Sequence, residues 1–431
     1  MKILSAFIMF ALSSMLAAAP PGFVRTSGTH FTGPNGSPLI LHGVNVANKN
    51  PKEGYLGDFG ESDLDLIRSW GMNCIRLVIL WDGLEPQPGK IDQAYLDRLA
   101  KIVELARRRG IYVLLDLHQD LYSVKFSDGA PAWATLDEGK PHTTGQVWDD
   151  SYATSEAVQT ALDHFWKNTA GPDGVGLQDH YARVWLAVAA RFAREPAVIG
   201  YDLMNEPAPG IDFARARQAG GVALAQALAK RDGAKAPDGQ QLAAMMATPQ
   251  GQKRFLTWMG DPAIFRAMLD GMAAVTQNFE RTELMPFYVR VARSIRQVDR
   301  NHILFLEPCI TSGVGVPSAV TGVRDGGGAP DPLQAYAPHC YDLTTDKGPP
   351  DSSGTARLKI ILANHQATAQ QLNMPLLIGE WGAFYEDPSA AEMAHFIIGE
   401  FDHLGCGDTY WSYSRALAKN PLLPALARRT R

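Results

Sequence analysis

Short apolar runs alternate with amphipathic helical segments along almost the whole chain, and this alternation constrains the fold more than any other feature. Eight runs have the length and β-branched content of buried strands. They span residues 39–46, 73–80, 111–118, 197–206, 302–308, 333–341, 375–382 and 407–414. Helical spacing is found at 61–70, 95–109, 180–194, 283–298, 357–372 and 389–403. Eight such units predict a (β/α)8 TIM barrel. A doubly wound open sheet is the alternative, but no G-x-G-x-x-G follows the first strand.

Two connections are too long to be simple turns. Residues 119 to about 177 follow the third predicted strand, and residues 207 to about 281 follow the fourth. Both predict long insertions at the mouth of the barrel, where such segments commonly form binding walls or lids. The second insertion is rich in Ala and Met. Its pattern fits a helical cap with an apolar face and an ordinary packed helical insert equally well.

The first 19 residues have the pattern of a signal peptide. Lys2 precedes an apolar stretch of residues 3–16, and small alanines at 17–19 would allow cleavage. That stretch is short for a membrane span of roughly 20 residues. We therefore expect a secreted or periplasmic protein with a catalytic barrel over 20–415 and a short C-terminal tail over 416–431.

Charge and cysteine content exclude several classes. The net charge is −5 with no basic stripe, so nucleic-acid binding has no electrostatic support. The four cysteines are too far apart for a local metal knuckle. Export would permit disulfides, with Cys309 and Cys340 as the best pair, but free buried thiols are an equal alternative. We expect no metal and no other cofactor.

Polar residues near the carboxyl ends of the predicted strands would converge at one barrel mouth. Glu206 ends the fourth strand and Glu380 lies in the seventh, on opposite sides of the mouth. Paired carboxylates, one protonated and one ionised, are what cleavage of a glycosidic bond requires. The whole set comprises His42, Asn45, Arg76, His118, Gln119, Asp120, Asn205, Glu206, His339, Tyr341, Glu380, Trp381 and Trp411.

The residue types suggest roles for some of these neighbours. Arg76 and Tyr341 can hydrogen-bond a carboxylate and keep it charged. Asn205 could bind a sugar hydroxyl, and Trp411 offers a flat face to a sugar ring. By contrast, we interpret Glu307 as structural because Pro308 follows it directly and no second group is evident. Asp116, inside a strand, is interpreted as a member of a structural ion pair.

The motifs "LMNEP" and "IGEWG" together resemble glycoside hydrolase family 5, in the clan of retaining β-glycosidases. The resemblance runs from about residue 39 to residue 414. It implies that Glu206 is the acid/base and Glu380 the nucleophile. It also implies supporting roles in the site for the residues that match the family's other motif positions, namely Arg76, His118, Asn205, His339, Tyr341 and Trp411.

Within that family, the stretches "HGVNVANKNP", "LHQDLYS", "EPCITSG" and "YAPHCYD" resemble endoglycoceramidases. This implies an endo-β-glycosidase that hydrolyses the bond between oligosaccharide and ceramide in glycosphingolipids. It also implies an apolar groove, peripheral contact with lipid surfaces, and Lys49, Asp120 and Trp133 as substrate contacts. Those enzymes usually continue into a C-terminal β-sandwich, and none is evident in this sequence. We expect a monomer.

Two other functions are considered. The same chemistry could act on glucosylceramide, a steryl glucoside or a β-glucan, which would make the chain a family 5 β-glucosidase or glucanase. A non-catalytic carbohydrate- or lipid-binding barrel is the other alternative. The presence of both Glu206 and Glu380 argues against it, because a binding protein has no need for the pair.

Overall fold

Eight parallel strands surrounded by helices form the predicted barrel. The computed structural model describes residues 22–145, 147–233, 236–246, 248–345, 354–385 and 387–428, so the predicted signal peptide lies outside it. The barrel strands are β4 (His42–Val46), β5 (Cys74–Leu80), β6 (Tyr112–His118), β7 (Val198–Asp202), β8 (Ile303–Leu306), β9 (Gln334–Tyr336), β10 (Leu377–Gly382) and β11 (Gly407–Trp411).

Each strand pairs in parallel with its neighbour in sequence, and β11 returns to pair with β4. Between β9 and β10 the continuous ladder is interrupted. Isolated bridges from Tyr336 to Leu376 and from Cys340 to Trp381 join the two sides there. Several strands end earlier than predicted. β7 stops at Asp202, so Glu206 stands on a loop above the sheet rather than in it.

A small antiparallel sheet precedes the barrel and was not predicted. Its strands are β1 (Arg25–Ser27), β2 (His30–Thr32) and β3 (Pro38–Leu39), which are too short and too polar to show a strand pattern. Phe31 stacks on Phe305 of β8 with ring centroids 5.9 Å apart. Val24 and Phe31 join the apolar residues of the lower barrel interior, so this sheet closes the end of the barrel opposite the strand carboxyl termini.

The helices cover the outside of the barrel and fill the insertions. They are α1 (Glu61–Ser69), α2 (Trp81–Leu84), α3 (Gln93–Arg108), α4 (Ser151–Thr154), α5 (Glu156–Trp166), α6 (Leu177–Phe192), α7 (Asp212–Asp232), α8 (Gly239–Met246), α9 (Pro249–Met259), α10 (Pro262–Phe279), α11 (Met285–Ile295), α12 (Gly354–Leu372), α13 (Ala391–Leu404) and α14 (Leu423–Leu426).

Both long insertions are present where they were predicted. α4 and α5 lie in the first, between β6 and α6, and α7 to α10 make up most of the second. α7 and α10 pack closely: Gly220 lies against Met272, and Gly271 lies against Ala223. Leu224, Leu228, Phe265 and Leu269 are buried. The second insertion is therefore a packed helical layer.

The described residues after β11 fold back onto the barrel. They form a 3-10 turn at Ala416–Lys419 and then α14, and they bury Leu417, Leu422 and Leu426. The backbone N–H of Arg428 donates to the Trp70 carbonyl at 2.8 Å.

All four cysteines are buried with free thiols. The predicted disulfide between Cys309 and Cys340 is therefore wrong, and the alternative of free buried thiols is confirmed. Among the helices that the structure describes, none combines the length and the apolar character that crossing a bilayer requires.

Candidate active site

Glu380, in β10, is held by two donors at the mouth of the barrel. Arg76 Nη1 donates to Oε1 at 2.6 Å, and the Tyr341 hydroxyl donates to Oε2 at 2.9 Å. Only 5% of Glu380 is exposed. A guanidinium and a phenol, each aimed at one oxygen, stabilise the ionised carboxylate and fix its direction. These are the partners that the sequence predicted for it.

Arg76 lies fully buried beneath the site and contacts six polar side chains, one of which is Glu380. Its Nε donates to Asp202 at 2.9 Å, and its Nη2 lies 3.0 Å from Asp116 and 2.9 Å from Glu307. Asn45 and Asn205 also accept from it. Four carboxylates around one cation exceed its charge. Burial, followed by the charge of Glu307, raises the pKa of Asp202 well above its usual range.

Glu206 has a different environment from Glu380. Its carboxylate Oε1 lies 2.9 Å from His339 Nδ1, and the residue is 9% exposed. Burial raises the pKa of Glu206 to about 7, and Glu380 adds to this rise while His339 opposes it. A carboxyl with this pKa is protonated in an appreciable fraction of molecules near neutral pH, as a general acid must be.

His339 contacts carboxylates on both sides of its ring. Nδ1 faces Glu206, and Nε2 lies 3.2 Å from Glu307 Oε1. Burial opposes protonation, but Glu307, Glu380 and Glu206 raise the pKa of His339 well above its usual range. The imidazolium then hydrogen-bonds Glu206 through Nδ1 and forms an ion pair with Glu307 through Nε2. Because Nδ1 donates a hydrogen bond to Oε1 of Glu206, the acidic proton is carried by the other carboxyl oxygen, Oε2.

The two catalytic candidates lie close enough to share one bond. One oxygen of Glu206, one of Glu380 and a ring nitrogen of His339 all lie within 4.8 Å of one another. Retaining glycosidases place their carboxyl groups about 5–5.5 Å apart, and inverting enzymes place them roughly 6.5–9.5 Å apart. The separation of the two carboxylate oxygens lies nearer to the retaining range than to the inverting range, so it fits direct attack by one carboxylate.

A second cluster lies beside Glu380 and contains most of the remaining predicted residues. The His118 ring stacks on Trp411 at 5.4 Å, and its Nδ1 lies 2.7 Å from Asp116. Lys49 pairs with Asp120 and lies over the Trp411 ring at 5.1 Å. Burial and the charge of Lys49 lower the pKa of His118, but Asp116 and Asp120 outweigh them and raise it to about 10. Stacked aromatic rings beside fixed charges suit a sugar ring.

Trp133 and Asn205, both predicted to contact the substrate, make hydrogen bonds to other protein groups. The Trp133 indole donates to the Glu85 carbonyl at 3.1 Å and packs against Trp81 and His180, so its role as a substrate contact stays a prediction. Asn205 is buried. Its amide oxygen accepts from Arg76, and its nitrogen donates to the Gln119 carbonyl at 3.1 Å.

The expected convergence at the mouth was wrong for His42 and Trp381. His42 begins β4 at the opposite end of the barrel, where its Nδ1 lies 2.6 Å from Asp408. Trp381 follows Glu380 in β10 and therefore points to the other side of the strand, where it packs on Phe401.

Glu307 was interpreted as structural, but the structure places it inside the site. Its Oε2 accepts from the Glu206 backbone N–H at 2.8 Å, and its Oε1 accepts from Arg76 at 2.9 Å. One signal in the sequence could have revealed it. "FLEP" at 305–308 repeats the apolar-strand-then-Glu-Pro pattern of "LMNEP" at 203–207, one strand further on.

Several groups of histidine and carboxylate lie close enough to ligate a cation, including His118 with Asp120 and Asp128, and Asp116 with Asp202 and Glu307. Each group is already in contact with Lys49 or Arg76. A metal ion would have to displace Lys49 or Arg76 from these carboxylates, so the donor sets do not fit a resident metal.

The barrel and its paired glutamates define a class, the glycoside hydrolases. Residues 33–228 and 253–416 match the cellulase family, described as glycosyl hydrolase family 5. Endoglycoceramidase I of Rhodococcus hoagii (strain 103S) is 35% identical over 203 residues, which cover 46% of this chain and 39% of that protein. A glucosylceramidase of Aspergillus fumigatus is 27% identical over 248 residues, covering 44% and 32%.

Among solved structures, endo-glycoceramidase II from Rhodococcus sp. is similar with a TM-score of 0.68 and 30% identity, covering 94% of this chain and 81% of that one. A ganglioside GM3 complex of that protein has a TM-score of 0.69. The chain belongs to glycosyl hydrolase family 5. The alignments span less than half the length of the curated relatives.

Proposed function

We propose that this protein is a retaining endo-β-glycosidase that hydrolyses the bond between oligosaccharide and ceramide in glycosphingolipids. The observation that carries the chemistry is the pair of glutamates within 4.8 Å. Arg76 and Tyr341 donate hydrogen bonds to the two oxygens of Glu380, as suits a nucleophilic carboxylate, while burial favours the protonated form of Glu206. Opposite protonation states at this spacing are what a double-displacement mechanism needs.

The reaction follows from these two environments. Glu380 attacks the anomeric carbon as the Glu206 proton passes to the leaving oxygen, which on a glycolipid belongs to ceramide. The glycosidic bond breaks, and a covalent glycosyl-enzyme forms at Glu380. Glu206, now a carboxylate, takes a proton from water, and that water releases the sugar with retained configuration.

A cavity with a partly apolar wall beside Tyr341 supports a lipid as the leaving group. Its volume is about 590 Å³, and it opens next to Tyr341, the residue that donates to Glu380. Aliphatic and aromatic side chains form much of its wall, namely Trp148, Leu358, Phe384, Tyr385, Met393 and Ile397. Asp342, Thr344 and Asp387 add polar groups to the wall, but an acyl or sphingoid chain would bury apolar surface against the side chains just named. The endoglycoceramidase relatives support the same choice.

Glucosylceramide or a steryl glucoside is a second candidate substrate. The relative in Aspergillus fumigatus is a glucosylceramidase, and the same cavity would take either lipid. The two functions differ only in whether the sugar-binding part of the site accepts a single sugar unit or an oligosaccharide. Product analysis separates them.

The test is incubation of the purified protein with lactosylceramide, glucosylceramide and cellotetraose in detergent, followed by thin-layer chromatography and mass spectrometry. We expect intact lactose and free ceramide. Release of glucose from glucosylceramide alone would support the second candidate, and cleavage of cellotetraose alone would contradict the lipid assignment.

The matched control for that assay is Glu380→Gln. It keeps the size of the side chain but removes the nucleophile, so we expect turnover to fall by on the order of 10⁴-fold or more. Its circular dichroism spectrum should stay that of the wild type. Trapping with a fluorosugar should label Glu380 in the wild type, and turnover that survived in the variant would contradict the role of Glu380.

We also propose that the protein is secreted or periplasmic and acts as a monomer in peripheral contact with lipid surfaces. The support for export is the composition of residues 1–19. Cell fractionation would test the location, light scattering the monomer, and co-sedimentation with vesicles the lipid contact.

A further inference from the structure

We infer that Glu307 is a positioning residue for Glu206, because one carboxylate holds both the backbone of the acid/base and the imidazole that contacts its side chain. The inference rests on the proposed role of Glu206. It goes beyond that role by assigning a function to a buried glutamate that does not itself flank the reacting bond.

The contacts of Glu307 show how it would act. It directly follows β8 and is 2% exposed. Oε2 accepts from the Glu206 N–H at 2.8 Å, and Oε1 lies 3.2 Å from His339 Nε2. Glu206 has φ +44°, a left-handed conformation that a side-chain-bearing residue rarely adopts. A hydrogen bond to its own N–H therefore helps to hold the backbone that aims this carboxyl.

Arg76 fixes Glu307 in turn. Nη2 of Arg76 donates to Oε1 at 2.9 Å, while Nη1 of the same guanidinium donates to Glu380 at 2.6 Å. The nucleophile and the acid/base are thus tied to one cation, Glu380 directly and Glu206 through Glu307. Glutamine could not replace Glu307 without loss, because its amide N–H₂ would face either the Glu206 N–H or the Arg76 and His339 side chains.

The charges around these groups set the expected pH effect. His339 faces Glu206, Glu307 and Glu380, and the Glu206 carboxyl faces His339, Glu380 and Asp120. Without the charge of Glu307, the His339 imidazolium is less stable. A neutral imidazole stabilises the ionised form of Glu206 less, so the pKa of Glu206 should rise.

The experiment measures kcat/KM of Glu307→Gln on two aryl lactosides. A 2,4-dinitrophenyl leaving group departs without a proton, and a phenyl leaving group needs the general acid. We expect the variant to lose at least about 10-fold more activity on the phenyl substrate. The ratio of the two values does not depend on how much of the preparation is folded. The basic limb of the pH profile for the phenyl substrate should move up by about half a unit to one unit.

Glu280→Gln is the matched control. Glu280 is 1% exposed and accepts from the Cys309 N–H and the Ser318 hydroxyl, both at 2.9 Å, so its loss perturbs a buried carboxylate outside the acid/base contacts. Its substrate ratio and pH profile should match the wild type even if it is less stable. Glu307→Asp keeps the charge and should return the basic limb toward the wild-type position.

The outcomes separate the two hypotheses. Glu206→Ala should show the full dependence on the leaving group, and failure to do so would contradict the proposed role of Glu206. If Glu206→Ala behaves as expected but Glu307→Gln loses equally on both substrates with an unmoved basic limb, Glu307 is merely structural and this inference alone is overturned.

Discussion

At the scale of single residues, the site depends on two identical side chains in unlike surroundings. Glu380 has a guanidinium and a phenol as donors, whereas Glu206 is buried against one imidazole. The burial that raises the pKa of Glu206 also has a cost for folding. A carboxyl that is harder to ionise in the folded protein than in the unfolded chain weakens stability as the pH rises.

Glu206→Gln should therefore stabilise the protein at alkaline pH while inactivating it. The pKa of Glu206 is about 7 in the folded protein against an ordinary value of 4.5. The free energy of unfolding is unaffected by Glu206 below pH 4.5. It declines between pH 4.5 and pH 7, because the unfolded chain loses the Glu206 proton first. The loss amounts to about 3 kcal/mol above pH 7. Glutamine cannot ionise and should avoid it.

The measurement is urea unfolding of both proteins at pH 5 and pH 8. We expect the variant to gain stability relative to the wild type as the pH is raised. Glu392→Gln, which removes an exposed carboxylate on α13, is the control and should show no such trend. A difference between wild type and Glu206→Gln that stayed constant with pH would contradict the raised pKa of Glu206.

The residue scale is also where prediction from sequence was least complete. Glu206, Glu380, Arg76 and Tyr341 could be predicted because each interrupts or follows an apolar strand pattern in a residue type that suits the chemistry. Glu307 was missed because its partners come from three distant segments, and no local pattern shows that a buried glutamate faces a backbone N–H 101 positions away.

At the scale of elements, periodicity located the eight barrel strands but not their ends. The predicted strand at 197–206 stops at Asp202, and its predicted last residue, Glu206, adopts a left-handed conformation that a strand cannot contain. The small sheet β1–β3 was missed for another reason. Its strands have only two or three residues, and Phe31 packs into the end of the barrel against Phe305 of β8, a contact that local sequence does not encode.

The docking of the chain after β11 depends on one glycine, Gly71. Its φ is +78°, and a Cβ there would lie 1.5 Å from the Arg428 carbonyl oxygen. Gly71→Ala should therefore push the segment that buries Leu417, Leu422 and Leu426 off the barrel. Exposing even one of these leucines costs about 2 kcal/mol.

Gly89→Ala is the matched control for this change. Gly89 has φ +72°, close to that of Gly71, but a Cβ there would meet nothing within 4 Å. Both variants have the backbone strain of alanine in a left-handed conformation, roughly 1–2 kcal/mol. We expect thermal unfolding to show Gly71→Ala to be the less stable of the two by about 2 kcal/mol or more. Equal midpoints would mean that the segment contributes nothing to stability.

At the scale of the whole molecule, the apolar cavity is assembled from distant parts of the chain. Trp148 comes from the insertion after β6, and Phe384 from the loop after β10. Leu358 and Met393 come from α12 and α13. Each segment alone reads as an ordinary loop or helix. The resemblance to endoglycoceramidases implied that an apolar groove exists. Only the folded barrel shows which side chains form its wall.

If this cavity holds the lipid, a charge placed in its wall should separate lipid substrates from soluble ones. Met393→Glu would put a carboxylate beside Leu358 and Ile397, where a chain of methylene groups could not solvate it. We expect kcat/KM for lactosylceramide to fall about 10-fold or more, from loss of a few buried methylenes at about 0.8 kcal/mol each. A soluble aryl lactoside, which does not need the cavity, should be hydrolysed almost as before.

Ile40→Glu supplies the comparison. Ile40 is 44% exposed and precedes β4, at the end of the barrel away from the site, so its change alters the surface charge equally without touching the cavity. Both substrates should behave as with the wild type. Because each variant is measured on two substrates, a drop in folded protein lowers both rates together. A parallel loss in Met393→Glu would therefore mean damage to the barrel, and unchanged rates on both substrates would place the lipid elsewhere.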